Sequence, residues 1–139
     1  MAAIIDDSRI VEMLTKAVWG LVAIYRFGST ATGHAVSESD LDIAILPASP
    51  MEPLERWDLQ EKLAVSIHCP VDLVDLLGAS SVMRMQVLQS GILLFDGDPV
   101  ARAMFETMAY SSYARLNEER RQILDDVAKE GTIYGRRNE

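Results

Sequence analysis

The chain has one cysteine, Cys69, in 139 residues. No intrachain disulfide can form, so nothing points to an oxidising compartment. Cys69 precedes Pro70 at the entry to an apolar stretch, which suits a buried structural thiol. Basic residues are also scarce. Thirteen Lys and Arg against 21 Asp and Glu give a formal charge of −8. That balance opposes direct nucleic-acid binding, which depends on Lys and Arg at phosphates. It aids solubility and would steer an encounter with a basic protein. No run approaches the ~18 apolar residues of a membrane span. The first residues, Met1-Ala2-Ala3-Ile4-Ile5-Asp6-Asp7, lack the cationic and apolar regions of a signal peptide. A cytoplasmic location without membrane association is therefore expected. Repeats and low-complexity segments are absent too.

What remains is an ordinary apolar fraction of 49% in a length that fits one domain. Asp6 or Asp7 can cap a helix running to about Trp19, with Ile10, Val11, Leu14 and Val18 on one face. Ala23 to Phe27 reads as a strand. The polar Gly28–Ser39 stretch suits a turn with one helical turn inside it. Leu41 to Leu46 is a nearly all-apolar strand, as expected of one covered on both faces, and Pro47 stops it. Pro50 and Pro53 flank the start of a second helix, to about Ile67, with Leu54, Trp57, Leu59, Leu63 and Ile67 as its apolar positions, not in a perfect stripe. Val71 to Leu77 is a third strand. Ser80 or Ser81 caps a short helix to about Gln89, and Gly91 to Asp96 is a fourth strand. Pro99 opens a helical pattern to about Lys129, which Tyr110-Ser111-Ser112 either breaks or does not. Strands alternating with helices predict an α/β domain with helices packed on a sheet. Apolar content falls after residue 130, so the expected division is a domain over 1–130 and a flexible tail over 131–139.

The most informative feature is a spacing. Gly28-Ser29 closes the first strand, and ten residues later Asp40-Leu41-Asp42 opens the second. Side chains alternate along a strand, so Asp40 and Asp42 share a face. Carboxylates that close repel each other unless a cation lies between them. Such a set suits hard ions such as Mg²⁺, which take a few carboxylates together with substrate phosphates. Gly28 allows close backbone approach to a phosphate, and Ser29 offers a hydroxyl and an N–H. Val71-Asp72-Leu73-Val74-Asp75-Leu76 brings further acids. Asp75 lies three residues from Asp72 and so falls on the other face of a regular strand.

Gly-Ser-x10-Asp-x-Asp followed by a later strand aspartate resembles the signature of the DNA polymerase β-like nucleotidyltransferases. The short length resembles their minimal, MNT-type members, the antitoxins of HEPN/MNT toxin–antitoxin pairs. The similarity spans about Ala23 to Leu77. It implies a mixed sheet of about four strands. It also implies catalytic and metal-binding roles for Asp40, Asp42 and Asp72, nucleotide binding at Gly28 and Ser29, two Mg²⁺ ions, and ATP as substrate. The implied activity is transfer of AMP to a tyrosine of a HEPN ribonuclease toxin in a heteromeric complex. Asp72, the better third acid, would also help remove the acceptor proton. One departure is that Thr30 and Thr32 stand where many members carry arginines. Arg9 or Arg26 would have to supply that charge, although salt bridges are the simpler expectation for both. His34 sits in the motif turn as a surface residue or a phosphate contact. Tyr110, Tyr113 and Tyr134 suit a protein interface. Two other readings compete: a non-catalytic module that blocks its toxin by binding, and an adenylyltransferase acting on a small molecule. The second would normally need an added acceptor domain.

Overall fold

The computed structural model describes residues 5–33 and 40–137, with side chains described to residue 130. Asp6 caps α1 (Asp7–Ala17) by accepting the Arg9 N–H at 3.1 Å, and Ile10 and Leu14 are fully buried beneath it. β1 (Ala23–Phe27) leads into α2 (Ser29–Thr32), the single helical turn expected in the Gly-Ser loop. β2 (Leu41–Leu46) follows, then α3 (Pro53–Ile67), β3 (Val71–Asp75), α4 (Ser81–Ser90), β4 (Ile92–Asp96) and α5 (Pro99–Arg137). The Ser80 hydroxyl caps α4 and the Asp98 carboxylate caps α5, each accepting a first-turn N–H at 3.1 Å.

The strands form one mixed sheet in the order β3-β2-β1-β4. β1 pairs antiparallel with both β2 and β4, while β2 and β3 run parallel. Period-two alternation sorts the side chains between two cores. Ile24, Leu41, Ile43, Ile45, Val71 and Leu73 pack with Ile10 and Leu14 of α1 and with Leu59 and Leu63 of α3. Ala23, Tyr25, Phe27, Ala44 and Leu46 pack on the other face with Val87 of α4 and with Phe105 and Ala109 of α5. β2 is thus covered on both sides, which explains its apolar run.

Several sequence expectations shift. β3 stops at Asp75 rather than Leu77, because Asp75 caps the turn that follows and its carboxylate accepts the Leu77 N–H at 2.9 Å. In α3 only Leu59 and Leu63 are buried, while Leu54 and Trp57 face outward. Cys69 is half-buried against the α1/α3 core, and its thiol approaches the Pro70 carbonyl at 3.4 Å. α5 is a single helix. Its Tyr110-Ser111-Ser112 does not break it, because Phe105 and Ala109 on one side and half-buried Tyr113 and Leu116 on the other hold the face in register. Its backbone stays helical to Arg137, past the boundary that the falling apolar content suggests. From Asn117 to Glu130 every residue is exposed, so this part of the helix overhangs the domain. No helix among the described residues is long and apolar enough to cross a membrane.

Candidate active site

The parallel pairing of β2 and β3 sets Asp42 directly opposite Asp72. On its other side Asp42 pairs with Phe27, the last residue of β1. The chain leaves Phe27 into Gly28, so the Gly-Ser turn hangs over Asp42. The contact is tight: a Cβ built on Gly28 would run into the Asp42 carboxylate. Gly28 also has φ +73°, a left-handed conformation that glycine tolerates best. Both requirements, the backbone angle and the missing side chain, are met by glycine alone.

Asp42 and Asp72 lie on the α4/α5 face of the sheet, by alternation with Ala44 and Val74. Neither helix covers them. Asp42 is half-buried and Asp72 is exposed. Asp40, exposed, immediately precedes β2. The Asp42 carboxyl holds its proton more tightly than usual, first because of burial, then through repulsion from Asp72 and from Asp40. The three acids therefore act electrostatically on one spot. No described residue donates a hydrogen bond or an ion pair to any of the three carboxylates. Among the described residues no three His, Cys, Asp or Glu side chains are already gathered as a closed metal site. Hard carboxylate oxygens that repel one another are nevertheless the donor type that Mg²⁺ takes.

Arg26, Arg9 and Asp75 have structural partners. Arg26 pairs with Asp7 and donates to the Thr30 carbonyl. Arg9 donates from Nε to the Ser66 hydroxyl at 2.6 Å. Neither replaces the arginines missing from the turn. The salt-bridge expectation holds for Arg26, whereas Arg9 is held by a neutral hydroxyl instead. Asp75 is no member of the cluster. Its carboxylate accepts the Met51 and Leu77 N–H groups, each at 2.9 Å, and so ties the β2–α3 connection to the end of β3. His34 lies outside the described residues.

Residues 9–100 match the polymerase β nucleotidyltransferase family. The chain belongs to that family. The matched region takes in the whole sheet and stops as α5 begins. Protein adenylyltransferase MntA of Shewanella oneidensis is 36% identical over 135 residues, covering 97% of this chain and 96% of that protein. A crystal structure of a toxin–antitoxin with AMP-PNP superposes with a TM-score of 0.80 at 38% identity, covering 88% of this nucleotidyltransferase and 98% of that chain. A structure of a tri-AMPylated Shewanella oneidensis HEPN toxin in complex with its MNT antitoxin gives a TM-score of 0.74 at 36% identity, over 87% and 94% of the two chains. These matches reach beyond the family region into α5.

Two polar features of this nucleotidyltransferase escaped sequence reasoning. One is the Asp7–Arg26–Thr30 link. The other is a network beside the sheet, where the buried Tyr25 hydroxyl donates to Glu106 at 2.7 Å. Arg102 then bridges Glu106 and Asp96, each at 3.0 Å. Burial and the Glu106 carboxylate both push the Tyr25 hydroxyl toward staying protonated. The Arg102/Glu106 spacing of four on a helix was a visible signal. Nothing in the sequence linked either residue to Tyr25.

Proposed function

We propose that this chain transfers AMP from ATP to a tyrosine hydroxyl of a HEPN-type toxin and thereby neutralises it in the cytoplasm. The observation that carries the reading is the Asp42–Asp72 pair at the open end of the sheet, roofed by Gly28-Ser29. MntA, 36% identical over nearly the whole chain, carries the adenylyltransferase name, and a related antitoxin is solved with a tri-AMPylated HEPN toxin.

Asp40, Asp42 and Asp72 would hold two Mg²⁺ ions, consistent with their hard oxygen donors and their mutual repulsion. Bound there, Mg²⁺ would neutralise triphosphate charge and lower the acceptor hydroxyl's pKa. The protein's own contribution is position. Gly28 lets a phosphate approach the backbone, and the Ser29 hydroxyl donates to a phosphate oxygen. The tyrosine oxygen attacks the α-phosphorus, the bond to the β-phosphate bridging oxygen breaks, and pyrophosphate leaves. Exposed Asp72 would help remove the tyrosine proton, alone or through the metal. A protein acceptor brings its own docking surface to this domain.

The second reading is neutralisation by binding alone. The exposed Ile123, Leu124 and Val127 on the α5 overhang favour it. One experiment separates the two. The chain is mixed with its toxin, Mg²⁺ and ATP, and the toxin is weighed by mass spectrometry. A gain of one or more AMP units, lost with Asp42→Asn, is the expected result. A tight complex with unchanged toxin mass would overturn transfer and leave binding.

A further inference from the structure

Arg26 stands two residues before Gly28 on the face of β1 opposite Tyr25 and Phe27. Its side chain is only 13% exposed. Nε and Nη2 donate to the two carboxylate oxygens of Asp7 at 3.1 and 3.2 Å, and Nη1 donates to the Thr30 carbonyl at 2.7 Å. Asp7 opens α1, and Thr30 lies inside α2. A single guanidinium therefore joins the start of α1, the end of β1 and the Gly-Ser turn.

The turn needs such an anchor. α2 is four residues long, far below the length at which a helix holds itself. Glycines in left-handed conformations flank it, Gly28 at φ +73° and Gly33 at φ +80°. Gly28, its cap, supplies no side-chain hydrogen bond. A backbone this permissive has many alternatives to the form observed. The charge-assisted bond from Arg26 to Thr30 selects one of them, and Asp7 fixes where the guanidinium points.

We propose that Arg26 is a positioning residue that holds Gly28-Ser29 ready for the nucleotide, with Asp7 as its aiming partner. The inference rests on the turn being the nucleotide site. Because Asp7 neutralises Arg26, its effect is conformational rather than a gain of positive charge. Loosening the turn lowers the fraction of molecules competent to bind, which weakens apparent ATP affinity by that fraction and leaves bound-state chemistry alone.

The test uses the full chain with Arg26→Met, Arg26→Lys and Asp7→Asn. Lysine keeps the charge but cannot span Asp7 and Thr30 together, because it lacks the planar fork. The first measurement needs no activity. Hydrogen exchange of the amides over residues 29–33 should speed up by about tenfold in both Arg26 variants and less in Asp7→Asn. The second is kinetic: KM for ATP should rise roughly tenfold in both Arg26 variants, with kcat and the acceptor KM within about twofold of wild type. Unchanged exchange in both Arg26 variants overturns the proposal. So does a fall in kcat at unchanged KM. Should Arg26→Met not fold, Arg26→Lys and Asp7→Asn carry both measurements. Asp42→Asn runs alongside: full transfer by that variant would sink the site reading itself, while leaving the exchange result to judge the clamp.

Discussion

Replacing Asp42 by asparagine should make the protein more stable while abolishing transfer. Asp42 and Asp72 are register partners on neighbouring strands, which lie ~4.8 Å apart. Two unit charges at about that separation repel by ~1 kcal/mol in water and ~3–4 kcal/mol at an effective dielectric near 20. Asp72 is exposed, so screening favours the lower figure, and a gain of ~1 kcal/mol is expected. In a chain of this size that is a rise in Tm of roughly 3 °C. Asparagine matches aspartate in shape, so the contact with Gly28 survives. The sign follows from linkage. The folded protein raises the Asp42 pKa, so the ionised carboxylate costs stability above the folded pKa. That cost fades as pH falls through the folded pKa toward the unfolded one. The variant's advantage in thermal unfolding should therefore be full near pH 7 and vanish toward acidic pH. Added Mg²⁺ should raise the wild-type Tm more than the variant's. A variant less stable than wild type at pH 7, or an advantage that does not change with pH, would refute the electrostatic account of this site.

Two further outcomes separate the site from its scaffold. Gly28→Ala drives a Cβ into the Asp42 carboxylate and forces a left-handed φ on a residue that resists it; a loss of ~2 kcal/mol or more in denaturant unfolding is expected, with ATP binding lost in calorimetry. Asp75→Ala removes the acceptor of two backbone N–H groups, so stability should fall by ~2–3 kcal/mol while AMP transfer, measured below the new Tm, is retained.

Much of this architecture was legible because the signals were local. β1 and β2 were bounded by glycine and proline and by apolar runs, and both appear where the sequence placed them. Capping residues located α1 and α4 in the same way. The juxtaposition of Asp42 with Asp72 needed more than periodicity. It depends on β3 lying parallel to β2 in one register; the family resemblance implied a mixed sheet and a shared role for the acids, but not that pairing. The misreadings arose where tertiary contacts decide. Alternation says only that Asp75 faces away from Asp72, and its two backbone partners come from separate connections. Leu54 and Trp57 carry an apolar pattern that no neighbouring element covers. For Arg26 a salt bridge was expected, but its partner could not be named, because Asp7 lies 19 residues away on another element.

β3 is the outer strand on one side of the sheet and carries Asp72. Its exposed margin is not left open at Leu73. There the backbone N–H donates to the Gln60 side chain and the carbonyl accepts from Arg56, each at 2.9 Å. Both side chains come from α3 and imitate what a fifth strand would offer. A foreign peptide therefore finds that position taken, and the sheet resists growing by strand addition on the side bearing the acid. A protein reaching Asp72 is thereby steered to the exposed end and face of the sheet rather than to pairing along its rim at Leu73.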